Sequence, residues 1–233
     1  MENQMDTTKQ MRMRHSLGIA VFSLCLFGLS LLLCGLLTST VYAIFVSVLL
    51  FVTSIVLQIL ADQREHFYRY SMILNSIANG SVVAIYYLKI QCVPSLSDFC
   101  SLLLPLFLLI LTYFLFRFLK RGSLWFALLM LLLHIFLMVI SVIGWVRSKG
   151  AFCSMAFFGL VFSMIYSVVL ARIHRRPSRS ILKSMSVGSF GILGIIVCVV
   201  FLLISEGEGF DGILEFFGDL VAEVMPRRKH TKP

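Results

Sequence analysis

The sequence predicts an all-α polytopic membrane protein, a bundle of about seven transmembrane helices followed by a C-terminal amphipathic helix. Two observations are compositional: 59% of the 233 residues are hydrophobic and only 13% are charged, against about 45–50% and about 25% in soluble domains. The third is that the apolar residues form continuous runs, whereas a transmembrane β-barrel needs alternation. This composition excludes an ordinary water-soluble enzyme and a disordered chain.

Seven stretches are long enough and apolar enough to cross a hydrocarbon core, which takes about 20 mostly apolar residues. They lie near 17–37, 43–61, 70–88, 101–119, 124–146, 151–171 and 187–205. The third stretch is the most polar, because it contains Asn75 and Asn79. The first is longer than the roughly 7–15 apolar residues of a signal peptide, and we interpret it as a retained span.

The basic residues predict the orientation, because Lys and Arg concentrate in the short cytoplasmic loops of membrane proteins. The N-terminal tail and the second, fourth and sixth loops hold 13 Lys and Arg residues, and the other three loops hold three. We therefore expect a cytoplasmic N-terminus and an external C-terminus. The expected location is the plasma membrane, or the inner membrane if the protein is bacterial.

Two regions are predicted: a transmembrane domain, residues 1–205, and a tail, residues 206–233. In the tail, apolar residues recur at helical spacing on one face, and Asp211, Glu215, Asp219 and Glu223 recur every four residues on another. This pattern predicts an amphipathic helix. Its polar face is acidic, unlike the basic face of helices that lie on anionic membranes. The helix either covers the mouth of the bundle or binds a partner.

No Asp or Glu lies in the middle of a predicted span. Proton- and sodium-coupled transporters commonly use buried carboxylates, and aspartyl intramembrane proteolysis needs a pair of them, so the sequence argues against both classes. A retinal protein needs a Schiff-base lysine, which the last span lacks. No catalytic, metal-binding or phosphate-binding motif appears. We expect no catalytic residues, no metal, no cofactor and no nucleic-acid partner.

The polarity inside the spans is neutral and arranged in stripes. The stripe residues are Ser47, Ser54, Gln58 and Asp62 on the second span and Ser71, Asn75 and Asn79 on the third. An amide group in hydrocarbon must find a hydrogen-bond partner, and the two spans are neighbours in sequence. The stripes either hold the two helices together or form a hydrated path or polar-solute site.

His134 is the one histidine within a predicted span. A neutral histidine can transfer protons or bind a metal, but no second His or Cys four residues away supports a metal site. It either bonds a serine or a backbone carbonyl, or it lines a binding site together with Gln58, Asn75 and Asn79.

Small residues predict close helix packing in the last two spans. They are Gly159, Ser163 and Ser167 in the sixth span and Gly188, Gly191 and Gly194 in the seventh. Such packing can occur within the bundle or between copies. Cys92 and Cys100 lie in the third loop on either side of Pro94, and they are a candidate disulfide if that face of the membrane is oxidising; the alternative is unpaired thiols.

Three functions remain open. The first is a non-catalytic scaffold or accessory subunit of a membrane complex, whose partners are the lipid bilayer and another membrane protein or a second copy. The second is transport, by an uncoupled facilitator for a small polar solute that uses the four polar residues named with His134. The third is an interfacial lipid-modifying enzyme, for which Asp62, Glu65, His66 and Tyr68 are the candidates.

Overall fold

The computed structural model is helical throughout the part of the chain that it describes. The described residues are 2–35, 40–61, 64–92, 94–118, 124–148, 151–175 and 180–204. The helices are α1 (Glu2–Gly35), α2 (Thr40–Leu60), α3 (Phe67–Lys89), α4 (Leu103–Phe118), α5 (Leu124–Ser148), α6 (Ala151–Arg175) and α7 (Ile181–Ile204), and a 3-10 helix (Asp98–Leu102) leads into α4. The tail 206–233, with its predicted amphipathic helix, lies outside the described residues.

All seven helices are long and apolar enough to cross a membrane, so the predicted multi-pass helix bundle is confirmed. The bounds differ from the prediction mainly at two N-terminal ends. α1 begins at Glu2 and α7 at Ile181, because backbone hydrogen bonding continues through polar turns that a hydropathy pattern excludes.

The polar and apolar side chains of α2 lie on different faces of the helix, as expected for a helix in contact with lipid. Its buried face carries Ser47 and Ser54, whereas the apolar side chains of Leu49, Val52 and Ile59 are exposed. In a membrane the apolar surface meets lipid tails, and polar groups turn inward where other helices satisfy them.

The helices form two similar three-helix units. In the first unit α3 packs against both α1 and α2, and in the second α6 packs against both α4 and α5. α3 and α6 are the most buried spans, and α2 and α5 are the least buried. Because each unit has three spans, the second runs through the membrane in the opposite direction, the relation seen in inverted repeats. The sequence itself shows no convincing repeat, so the similarity lies in the packing.

The seventh helix packs against α3 and α6. Three hydrogen bonds join α7 and the preceding residue Ser180 to α3 and the turn before it. In each bonded pair the two residue numbers differ by 114 or 115, so the two chain segments keep the same offset along the whole span. The joining hydrogen bonds are Ser180 Oγ to Glu65 Oε1, Asn75 Nδ2 to Ser189 Oγ, and Lys89 Nζ to the carbonyl oxygen of Ile204. α3 and α7 are therefore parallel neighbours, and their middle thirds meet opposite the polar face of α2.

Candidate functional site: a polar cluster between α2, α3 and α7

Gln58 of α2 joins three helices through one oxygen atom. Its Oε1 accepts a hydrogen bond from Ser71 of α3 at 2.9 Å and another from Ser186 of α7 at 2.6 Å. An amide carbonyl oxygen has two lone pairs, and both are used here. The side chain is half-buried and lies toward one end of the bundle.

Asn75 of α3 repeats this arrangement one turn deeper. Its Oδ1 accepts a hydrogen bond from Ser54 of α2, and its Nδ2 donates to Ser189 of α7 at 3.0 Å. Asn75, Ser54 and Ser189 are all fully buried. Ser189 in turn donates to the backbone carbonyl of Ser186 at 2.7 Å. The predicted facing of the α2 and α3 stripes is confirmed, and α7 supplies a third set of partners.

Asn79 lies one turn further along α3 and is not part of this network. It is fully buried, and neither Oδ1 nor Nδ2 has a hydrogen-bond partner among the described residues. The hydroxyl of Ser47 on α2 is also buried and without a partner there. The polar cluster (Ser54, Gln58, Ser71, Asn75, Ser186 and Ser189) therefore ends at Asn75.

His134 lies in a different place, on α5. Its Nδ1 is 2.7 Å from the backbone carbonyl oxygen of Met130, and because a carbonyl oxygen only accepts, Nδ1 carries the proton. The side chain is fully buried, yet Nε2 has no partner in the described structure. It lines a cavity of about 480 Å³ between α4, α5 and α6. The four residues predicted to share one site are thus divided between two places.

The predicted small-residue seam of α6 faces α4. A Cβ atom on Gly159 would lie 2.8 Å from Pro105, and Ser167 pairs with Thr112 at 3.1 Å. Ser163 between them is fully buried and bonds the Leu160 carbonyl at 3.2 Å. The seam therefore sets how closely α6 approaches α4.

The three glycines of α7 differ from one another. A Cβ on Gly188 would lie 2.7 Å from Val169 of α6, which is a close contact. For Gly191 and Gly194, no neighbouring atom of the described residues lies within 4 Å of that position. Gly188 is therefore closely packed within the bundle, whereas close packing at Gly191 and Gly194, which contact with a second copy would also satisfy, stays a prediction.

A close approach of α1 to α3 was not anticipated from the sequence. A Cβ on Gly80 of α3 would meet Ser30 and would lie 2.6 Å from the carbonyl oxygen of Phe27 and 2.8 Å from the backbone nitrogen of Leu31. One signal was available: α1 carries Ser16, Ser23 and Ser30 at seven-residue steps, and all three are buried. A stripe of small residues at this spacing permits close backbone contact.

The residues considered for interfacial chemistry differ in their exposure. Asp62 lies outside the described residues, and Glu65 and His66 are exposed. Tyr68 is buried beneath Lys183, whose Nζ lies 5.9 Å from the ring centroid. No group of three or more His, Cys, Asp or Glu residues that could hold a metal ion occurs in the described ranges.

Cys92 and Cys100 are free cysteines in the structure. Both sit in the segment between α3 and α4, where Cys100 is exposed and Cys92 is half-buried. Their disulfide remains a prediction.

Comparisons with protein-family models, with curated proteins and with solved structures each found no match.

Proposed function

We propose that this protein is a non-catalytic scaffold or accessory subunit of a membrane complex. The observation that carries the proposal is the polar cluster, in which the amides of Gln58 and Asn75 are bonded by serines of neighbouring helices. Polar groups that bond each other across helices rigidify a bundle. None of the three cavities described for this structure is lined by either amide.

The outer surface also supports a scaffold. α2 and α5 are held by few neighbours and leave long apolar faces uncovered, including Val52 on α2 and Phe136 on α5. Such a face is covered by lipid or by another membrane helix. A rigid core with two peripheral helices on opposite three-helix units offers two places for a partner.

The experiment is copurification of the full chain from its native membrane in a mild detergent, with photo-crosslinking amino acids placed at Val52, at Phe136 and, as a control, at Leu29 of α1. All three positions are about half exposed. We expect a stoichiometric membrane partner, crosslinked from Val52 or Phe136 and not from Leu29. Recovery of a monomer with no crosslink from any position would contradict the proposal.

The facilitator hypothesis has less support, because its four residues lie in two separate places and two of them already bond neighbouring helices. It predicts solute flux into proteoliposomes that is lost when Asn75 and Asn79 are both replaced by Leu. Flux that depends on these residues would favour the facilitator over the scaffold. An interfacial enzyme has no converging set of described residues to support it.

A further inference from the structure

The cavity beside His134 is independent of the polar cluster and has a mixed lining. It lies between α4, α5 and α6 and includes Thr112, Ser167 and Arg172 beside His134. Its volume of about 480 Å³ falls in the range of small-molecule sites, about 300–1,000 Å³. Arg172 is exposed, near the end of α6, so the positive charge stands at the mouth of the cavity and the histidine lies inside.

The polar atoms inside the cavity are hydrogen-bond acceptors. The Thr112 hydroxyl donates its single proton to the Leu108 carbonyl at 2.8 Å, so the proton in the 3.1 Å contact with Ser167 comes from Ser167. His134 uses its Nδ1 proton on Met130, which leaves the Nε2 lone pair unpartnered. A complementary ligand must therefore donate protons at this depth, as a hydroxyl group does.

A second cavity continues the first along the outside of α5. The two share Leu131 and Met164, and the second is lined by apolar side chains that include Ile135, Val139 and Ile143. From Leu131 to Ile143 the helix rises about 18 Å, more than half of a roughly 30 Å hydrocarbon core. The combined groove thus has a cationic mouth, an acceptor-lined middle and an apolar length open to lipid.

We propose that this groove binds one phospholipid whose headgroup is anionic and hydroxylated. The phosphate pairs with Arg172, and the headgroup turns from it into the first cavity, where its hydroxyls donate to His134 Nε2 and to the oxygen of Ser167. The glycerol backbone, on the other side of the phosphate, directs one acyl chain along the outside of α5. Charge complementarity favours this occupant over a neutral lipid. In sequence, Lys120 and Arg121 follow α4 and Arg176 follows α6, and basic juxtamembrane residues attract anionic headgroups.

The test uses the delipidated full chain in detergent, with lipid binding followed by native mass spectrometry and by titration. Three lipids with identical chains separate the contributions: phosphatidylglycerol carries charge and hydroxyls, phosphatidylmethanol carries charge alone, and phosphatidylcholine carries no net charge and no hydroxyl. We expect one bound phosphatidylglycerol, weaker binding of phosphatidylmethanol and the weakest binding of phosphatidylcholine. Equal binding of all three lipids would overturn the proposal.

Two variants at exposed positions keep the test independent of folding. Arg172→Gln should lower the affinity for both anionic lipids about tenfold, since a charge-assisted hydrogen bond contributes enough for that change. Its control, Arg147→Gln at the other end of α5, should leave these affinities unchanged. Val139→Trp should block the acyl path, whereas Ile140→Trp, equally exposed but outside the groove, should not. Identical affinities within either pair would refute the site.

His134→Phe tests the hydroxyl contact. It should lower phosphatidylglycerol affinity to that of phosphatidylmethanol and leave phosphatidylmethanol unchanged. If Val139→Trp changes the oligomeric state while lipid affinities stay the same, the groove accepts a second copy and the lipid proposal is wrong.

Discussion

Asn75 of α3 and Ser189 of α7 meet at 3.0 Å in the buried middle of the bundle, with the amide nitrogen as donor. The same amide accepts from Ser54 of α2 through its other atom. One side chain therefore connects the consecutive spans α2 and α3 to α7, whose Ser189 lies 114 residues away from Asn75 in sequence.

Replacing Asn75 by Leu should destabilise the bundle, whereas replacing Asn79 by Leu should not. Asn75→Leu removes two interhelical bonds and leaves buried hydroxyls behind, so we expect a loss of about 1–3 kcal/mol. Asn79 has no partner in the described structure, and Leu removes a buried polar group that costs free energy. The measurement is reversible unfolding in mixed micelles.

The two variants control for each other, since they make the same change four residues apart on one helix. If both variants lower the free energy of unfolding equally, Asn79 also makes a stabilising hydrogen bond. If neither variant changes it, the polar cluster contributes no stability.

Gly80→Ala should disrupt the contact between α1 and α3. The added Cβ meets backbone atoms of Phe27 and Leu31, which cannot rotate away as a side chain can. Overpacking typically costs about 1–3 kcal/mol, and we expect at least that loss, read as a lower unfolding midpoint in detergent. Gly191→Ala is the matched control: its Cβ meets no neighbouring atom of the described residues, so its unfolding midpoint should stay unchanged or rise slightly because Ala is the better helix former.

Lys89→Met should loosen one end of the α3–α7 pair without unfolding the protein. Lys89 is exposed and bonds the last carbonyl of α7, and exposed substitutions usually change stability by less than about 0.5 kcal/mol. Hydrogen exchange should become faster in the last turn of α7 and stay the same around Ser189. Faster exchange along all of α7 would mean that Lys89 secures the whole helix.

The orientation predicted from the basic residues can be tested with the native cysteines. Cys100 is exposed in the segment after α3, which the 13-to-3 distribution of Lys and Arg places outside. A membrane-impermeant maleimide applied to intact cells should label the protein, and Cys100→Ser should reduce this labelling. Labelling of Cys100 only after the cells are opened would reverse the predicted topology.

The maleimide could also fail to label the protein both in intact cells and after the cells are opened. If labelling then appears after treatment with a reducing agent, Cys92 and Cys100 are joined by a disulfide. The same experiment therefore tests the disulfide prediction.

Local patterns in the sequence were enough to predict the helices and the face of α3 that carries its polar residues. Span length and apolar content predict seven helices, because a helix in lipid must satisfy its own backbone and needs about 20 residues to cross. The four-residue steps of Ser71, Asn75 and Asn79 correctly place them on one face, because helical periodicity is a local property.

Which helix meets that face depends on contacts distant in sequence. Periodicity assigns Asn75 a direction but not a neighbour, so Ser189, 114 residues away, could not be found from the pattern. For the same reason Asn75 and Asn79 look alike in sequence, yet of these two side chains only that of Asn75 has hydrogen-bond partners among the described residues. His134 shares their polarity but lies among α4, α5 and α6, because the packing of two three-helix units separates α5 from the α2–α3–α7 interface.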